Sequence, residues 1–140
     1  MYLLDTNVVV ELRKAKAGRA DKGVTTWALS VAPASLFLSS LTVLEMELGI
    51  LLMERRHSAH GAILRAWMES HVLPAFADRI LAIDTIVARR CAQLHVPDPK
   101  SERDAFIAAT ALVHGLTVVT RNVADFAATG VVTLNPWSSS

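Results

Sequence analysis

Cysteine is almost absent from this 140-residue sequence: Cys91 stands alone, which excludes a disulfide scaffold. Charge is scarce too. Charged residues make up 19% of the chain against 52% apolar ones, the reverse of a disordered composition. Lysine and arginine barely outnumber the acids, so the net charge is +1 and no global basic signature of nucleic-acid binding is present. Aromatic residues are only 6%, which leaves no aromatic-rich platform for stacking single-stranded bases. A membrane-spanning run is missing. Residues 24–44 carry no charge, but Pro33 and a scatter of serines and threonines break the stretch. A secretory leader is not expected either, because Asp5 follows Met-Tyr-Leu-Leu directly. The expectation is a cytoplasmic protein.

What remains is an apolar chain, with a mean hydropathy of +0.37. Its length suits one domain, residues 1–140, able to build one substantial core. Short apolar runs at Tyr2–Asp5, Leu36–Leu38, Ile80–Ala82, Leu116–Thr120 and Val131–Leu134 read as strands. Between them, helices are expected at Val8–Ala15, Val24–Ala32, Thr42–Met53, Arg56–Phe76 (broken near Pro74), Thr85–His95 and Ser101–His114. Strands apolar on both faces and alternating with helices define an α/β fold with a parallel sheet covered on both sides. Ligands of such sheets sit beyond the carboxyl ends of the strands, at a switch in strand order.

Four acids fall at those ends. Asp5 closes the first strand, where it can also cap the next helix. Glu45 shares a helical stripe with Leu41, Leu48 and Leu52, read as core-facing, while Glu47 and Glu54 fall on the opposite, solvated side. Thr42 and Glu45 have capping-box spacing, as do Ser101 and Asp104. Asp104 opens a helix with no charge from Ala105 to His114, and Asp125 follows the strand ending at Thr120. Each acid has a structural explanation alone. Together on one sheet edge they repel one another unless a cation lies between them. Hard oxygen donors of this kind suit Mg²⁺ or Mn²⁺. Zinc is disfavoured, since cysteine ligands are lacking and His57 and His60 lie on a polar helix.

The blocks Leu3–Val8, Leu41–Gly49, Asp104–Ala111, Thr120–Phe126 and Leu134–Trp137 resemble, in order along nearly the whole chain, the signature blocks of PIN-domain ribonucleases. More narrowly they resemble the VapC/FitB-type toxins of bacterial toxin–antitoxin pairs. The resemblance implies a PIN-like three-layer fold with a central five-stranded parallel sheet. It also implies a Mg²⁺- or Mn²⁺-dependent endoribonuclease, a homodimer or higher hetero-oligomer, and a cognate antitoxin laid across the active-site groove. Asp5, Glu45 and Asp104 match the family's metal-binding acids. The fourth position is shared between Asn122 and Asp125, with Asp125 expected as ligand or water orienter and Asn122 in support. Thr6 and Asn7 are expected to hydrogen-bond the ligands.

In that light Arg13, Lys14, Lys16, Arg103 and Arg121 become candidate contacts to RNA phosphates. Without the resemblance, such basic stretches read as solvated surface. A dehalogenase-type phosphatase would need an acid at Asn7, and a receiver domain would need a lysine beyond Lys100; neither is present. A catalytically weak or inactive PIN-like binding module is the remaining alternative.

Overall fold

The computed structural model describes residues 1–138. Five short strands, β1 (Tyr2–Leu4), β2 (Leu36–Ser39), β3 (Ile80–Leu81), β4 (Thr117–Val119) and β5 (Thr133–Leu134), form one sheet in the order β3-β2-β1-β4-β5. Every pairing is parallel. The helices are α1 (Thr6–Arg13), α2 (Lys22–Ser30), α3 (Ser40–Arg56), α4 (Ser58–Trp67), α5 (Leu73–Ala75), α6 (Thr85–Leu94) and α7 (Glu102–His114). The α/β fold expected from the sequence is thus the observed one. Among the described residues, no helix is long and apolar enough to cross a membrane.

Pleating sends successive β1 side chains to opposite faces. Leu3 joins Val87, Cys91, Ile107 and Phe126 in a core beneath α6 and α7. Leu4 joins Val8, Leu38, Met46, Ile50 and Val119 in a second core beneath α1 to α4. Helix α7 tolerates burial over most of its surface because Ala105, Ala108, Ala109 and Ala111 let it lie close to the sheet. Gly115 ends it in the left-handed conformation, φ 67°, which glycine adopts without a Cβ clash.

Local readings differ from the structure in two places. Helix α3 starts at Ser40, capped by the Ser39 hydroxyl, which accepts the Leu41 N–H at 3.0 Å. Thr42 is therefore already inside the helix and forms no capping box with Glu45. The buried stripe of α3 is Thr42, Met46 and Ile50. Leu48 and Leu52, expected in the core beside Glu45, are 52% and 53% exposed. Leucines lie on nearly every side of α3, so spacing alone does not select the buried face. Glu47 and Glu54 do not simply face solvent: both bind Arg65 of α4, Glu47 through two contacts of 2.7 Å.

The second difference lies around Pro74. The backbone widens into a π turn at Met68–Val72, before the proline, and continues as α5 to Ala75. Proline has no N–H to give, and its ring crowds the carbonyl four residues back, so the irregularity falls N-terminal to it.

Helices α3 and α4 approach each other tightly at Gly61. A Cβ there would lie 2.5 Å from the Cα of Glu54 and 2.7 Å from its N. Gly49, by contrast, has no atom within 4 Å of its would-be Cβ. Gly61→Ala is expected to destabilise the protein by about 1–3 kcal/mol through overpacking against backbone. Gly49→Ala is expected to stabilise it by up to about 1 kcal/mol through helix propensity. Thermal melts of the two variants check the opposite signs.

Candidate functional site

The strand order reverses direction at β1, between β2 and β4, so the carboxyl ends of β1 and β4 flank the switch point. Asp5 leaves β1 there, and Thr120 leaves β4 beside it, because the register pairs Leu4 with Val119. The Asp5 side chain is 1% exposed. One of its oxygens accepts the Thr6 N–H at 2.8 Å, capping α1, and the other accepts the Thr120 hydroxyl at 2.9 Å. Thr120 Oγ1 in turn accepts the Asn122 N–H at 3.0 Å and the Asn7 amide at 3.4 Å. One buried hydroxyl thereby links the ends of two strands to both asparagines.

Glu45 enters from the second turn of α3. Its Oε1 accepts the Thr6 hydroxyl at 2.6 Å, and that hydroxyl lies 3.2 Å from the hydroxyl of Thr42. Asp104 enters from the first turn of α7, whose cap Ser101 accepts the Asp104 N–H at 3.4 Å. The cap forms as the spacing predicts, while the Asp104 carboxylate turns to Arg103 instead.

Arg103 holds the three acids together. Its Nε donates to Glu45 Oε2 at 2.7 Å and its Nη1 to Asp104 Oδ1 at 3.0 Å. Its Nη2 donates to Glu45 Oε1 at 2.9 Å and also to Asp5 Oδ1. Burial pushes the Glu45 carboxyl up, but hydrogen bonds from Arg103 and Thr6 and the charge of Arg103 outweigh it. The net result is a pKa below the ordinary glutamate value. Burial likewise pushes the Arg103 guanidinium down, and its bonds to Glu45 and Asp5 reverse that, so the net shift is upward.

The other sequence candidates make different contacts. Asp125 is exposed on the 3₁₀ segment Val123–Thr129 and makes none of the bonds to Arg103. Its N–H donates to the Asn122 carbonyl at 3.0 Å, and Asn122 is exposed beside it. Asn7 Oδ1 accepts the Arg121 N–H at 3.4 Å, and the Arg121 guanidinium lies 5.4 Å over the Trp137 ring. Lys14 pairs with Glu11 at 3.1 Å, and Lys16 meets His71 at 3.3 Å. Arg13 lines a groove of about 320 Å³ together with Thr6, Val10, Glu45, Met46 and Trp67. Of the basic candidates, Arg103 alone turns inward.

Sequence reasoning missed Arg103 as the partner of the acids and Thr120 as their anchor. Both left a trace. A cation in the first turn of a helix opposes the macrodipole and needs a reason to be there, and Thr120 ends a strand at the predicted ligand edge.

Three carboxylates converging on one cation are a hard-oxygen donor set, and in that respect they fit a divalent metal. Here the guanidinium of Arg103 stands among the three carboxylates and takes up their oxygens. Among the described residues, no group of three or more acidic, histidine or cysteine side chains is closed tightly enough to hold a metal.

The PIN domain family matches residues 2–131. The VapC ribonuclease Y4jK of Sinorhizobium fredii is 37% identical over 142 residues, covering 98% of each chain. The toxin FitB of Neisseria gonorrhoeae is 36% identical over 143 residues, covering 98% of this chain and 99% of FitB. The crystal structure of FitAcB from Neisseria gonorrhoeae superimposes with a TM-score of 0.89 at 35% identity, covering 99% of this chain and all of that one. The family match over most of the chain, the full-length identities and the superposition agree: the chain belongs to the PIN-domain family, in the branch that holds VapC and FitB.

Proposed function

We propose that this protein is a metal-dependent endoribonuclease toxin held in check by a cognate antitoxin. The observation that carries this reading is the meeting of Asp5, Glu45 and Asp104 at the switch point, from three distant stretches of chain. Similarity to a VapC ribonuclease and to the toxin FitB supports it.

A bound Mg²⁺ or Mn²⁺ supplies charge to offset the phosphate oxygens and lets water act as a nucleophile at neutral pH. Asp5 and Asp104 are assigned as its protein ligands. Glu45 is assigned as the third ligand or the carboxylate that takes a proton from water. Thr120 and Thr6 hold Asp5 and Glu45 in fixed orientations. Asp125 and Asn122, on the rim, are assigned to orienting the water. Arg13, Lys14, Lys16 and Arg121 are assigned to RNA phosphates.

The antitoxin reading rests on apolar surface. The groove beside Glu45 is walled by Val10, Met46 and Trp67, which suits a protein segment. Leu44, Leu48, Leu51 and Leu52 of α3 are each more than half exposed. That area suits contact with an antitoxin or a second copy in a homodimer. Such complexes belong in the cytoplasm, where RNA is available.

Purified protein incubated with RNA and Mg²⁺ is expected to cut it, and EDTA to stop the cutting. Asp5→Asn and Asp104→Asn are expected to lose at least about a hundredfold in rate with the fold retained by circular dichroism. Failure of the wild-type protein to cut any RNA offered would favour the binding module. Arg13→Ala is expected to weaken RNA binding and to reduce the slope of log affinity against log salt by about 1, measured by fluorescence anisotropy.

A further inference from the structure

The most unusual group in the site is the guanidinium of Arg103. Four of its hydrogen bonds go to carboxylates, and they reach all three acids. A fifth contact, at 3.4 Å, is to the Thr6 hydroxyl. The side chain is 32% exposed, while Asp5, Asp104 and Glu45 are 1%, 17% and 29% exposed. The arginine is therefore anchored among the acids but retains an open side toward water.

Building on the metal-site reading above, we propose that Arg103 is a built-in counter-ion. It occupies the cation position of the metal-free protein and must swing out before a divalent ion binds, so that it sets the metal affinity of the site.

Competition follows from chemistry. The carboxylate oxygens that accept from Arg103 are the same oxygens that the ion would need as ligands. The N–H donors space those oxygens around a planar fork, which is wider than the shell of a small ion with bonds of about 2.1 Å. The absence of any closed ligand group among the described residues agrees with this. The metal must therefore select a form in which the guanidinium has left, and its apparent affinity falls in proportion to the scarcity of that form. Arg103 lies in the first turn of α7, and its side chain is one-third exposed, so it already meets solvent. Metal-free protein gains from the same contacts, since three neighbouring carboxylates would otherwise repel one another.

The test is Mn²⁺ titration of the purified chain, read by the loss of the free-ion paramagnetic resonance signal, on wild type, Arg103→Met and Arg103→Lys. Arg103→Met is expected to bind Mn²⁺ at least about tenfold more tightly than wild type. It is also expected to melt at a lower temperature without metal and to gain a larger upward shift on adding it. Arg103→Lys keeps the charge but cannot span three carboxylates, and it is expected to fall between the two. If Arg103→Met does not fold, the lysine variant decides by the same criterion. The gain must vanish in Arg103→Met/Asp5→Asn; a gain that survives there belongs to another site and overturns the proposal. Affinity in Arg103→Met equal to or weaker than wild type also overturns it and leaves the metal site standing. Absence of Mn²⁺ binding by every form overturns both readings. A purely structural arginine would lower the melting temperature without tightening Mn²⁺.

Discussion

A carboxylate at 1% exposure beside the middle strand of a parallel sheet is the constraint around which this molecule is arranged. Removing an ion from water costs several kcal/mol unless neighbours replace the lost solvation. Asp5 obtains that replacement from three directions: the Thr6 N–H at the start of α1, the Thr120 hydroxyl at the end of β4, and the Arg103 guanidinium from α7. Each donor is delivered by a different element. Their positions depend on the sheet order and on the pairing of Leu4 with Val119. The fold and the acid are therefore not separable, since the sheet aims the donors and the donors satisfy the buried carboxylate.

The chain order of strands and helices was legible in the sequence because the physics is local. Leu3 and Leu4 must both be apolar in a doubly covered strand, and the uncharged alanine-rich stretch after Asp104 can only be a buried helix. Asp5 and Asp104 stood out for the opposite reason, as carboxylates among apolar neighbours. Of the leucines that singled out Glu45, by contrast, Leu48 and Leu52 are exposed, and Asp125 lies exposed outside the cluster. The face of α3 was not legible, because leucines surround that helix and tertiary packing alone decides which are covered. The partner of the acids was not legible either. Arg103 is separated from Asp5 by 98 residues and from Glu45 by 58, and nothing local says that its side chain folds back over them.

Ion pairing does two kinds of work in the same molecule. Arg65 clamps α4 to α3 through Glu47 and Glu54, next to the tight approach at Gly61, and there the pairing serves to hold two helices in register. Partly exposed pairs of this sort contribute modestly. Around Arg103 the count is the same as around Arg65, three acids to one cation, but the acids are more buried. Asp5, Asp104 and Glu45 are 1%, 17% and 29% exposed, against 38%, 35% and 56% for Glu47, Glu54 and Glu69. A surplus of negative charge is left after pairing. Burial of that surplus, rather than its size, separates the Arg103 cluster from the structural bridge at Arg65.

The hydroxyl of Thr120 reaches Asp5 across 115 residues of sequence. Until β4 has docked against β1, the acid lacks one of its fixed donors, and Asn7 and Asn122 lack the oxygen they share. On a ribosome, the emerging chain holds Asp5 from the outset but cannot lock it in place until residue 120 is free to pair. The earliest part of the protein is thus completed by one of the last. The hydrogen-bond set around Asp5 is therefore complete only late in synthesis.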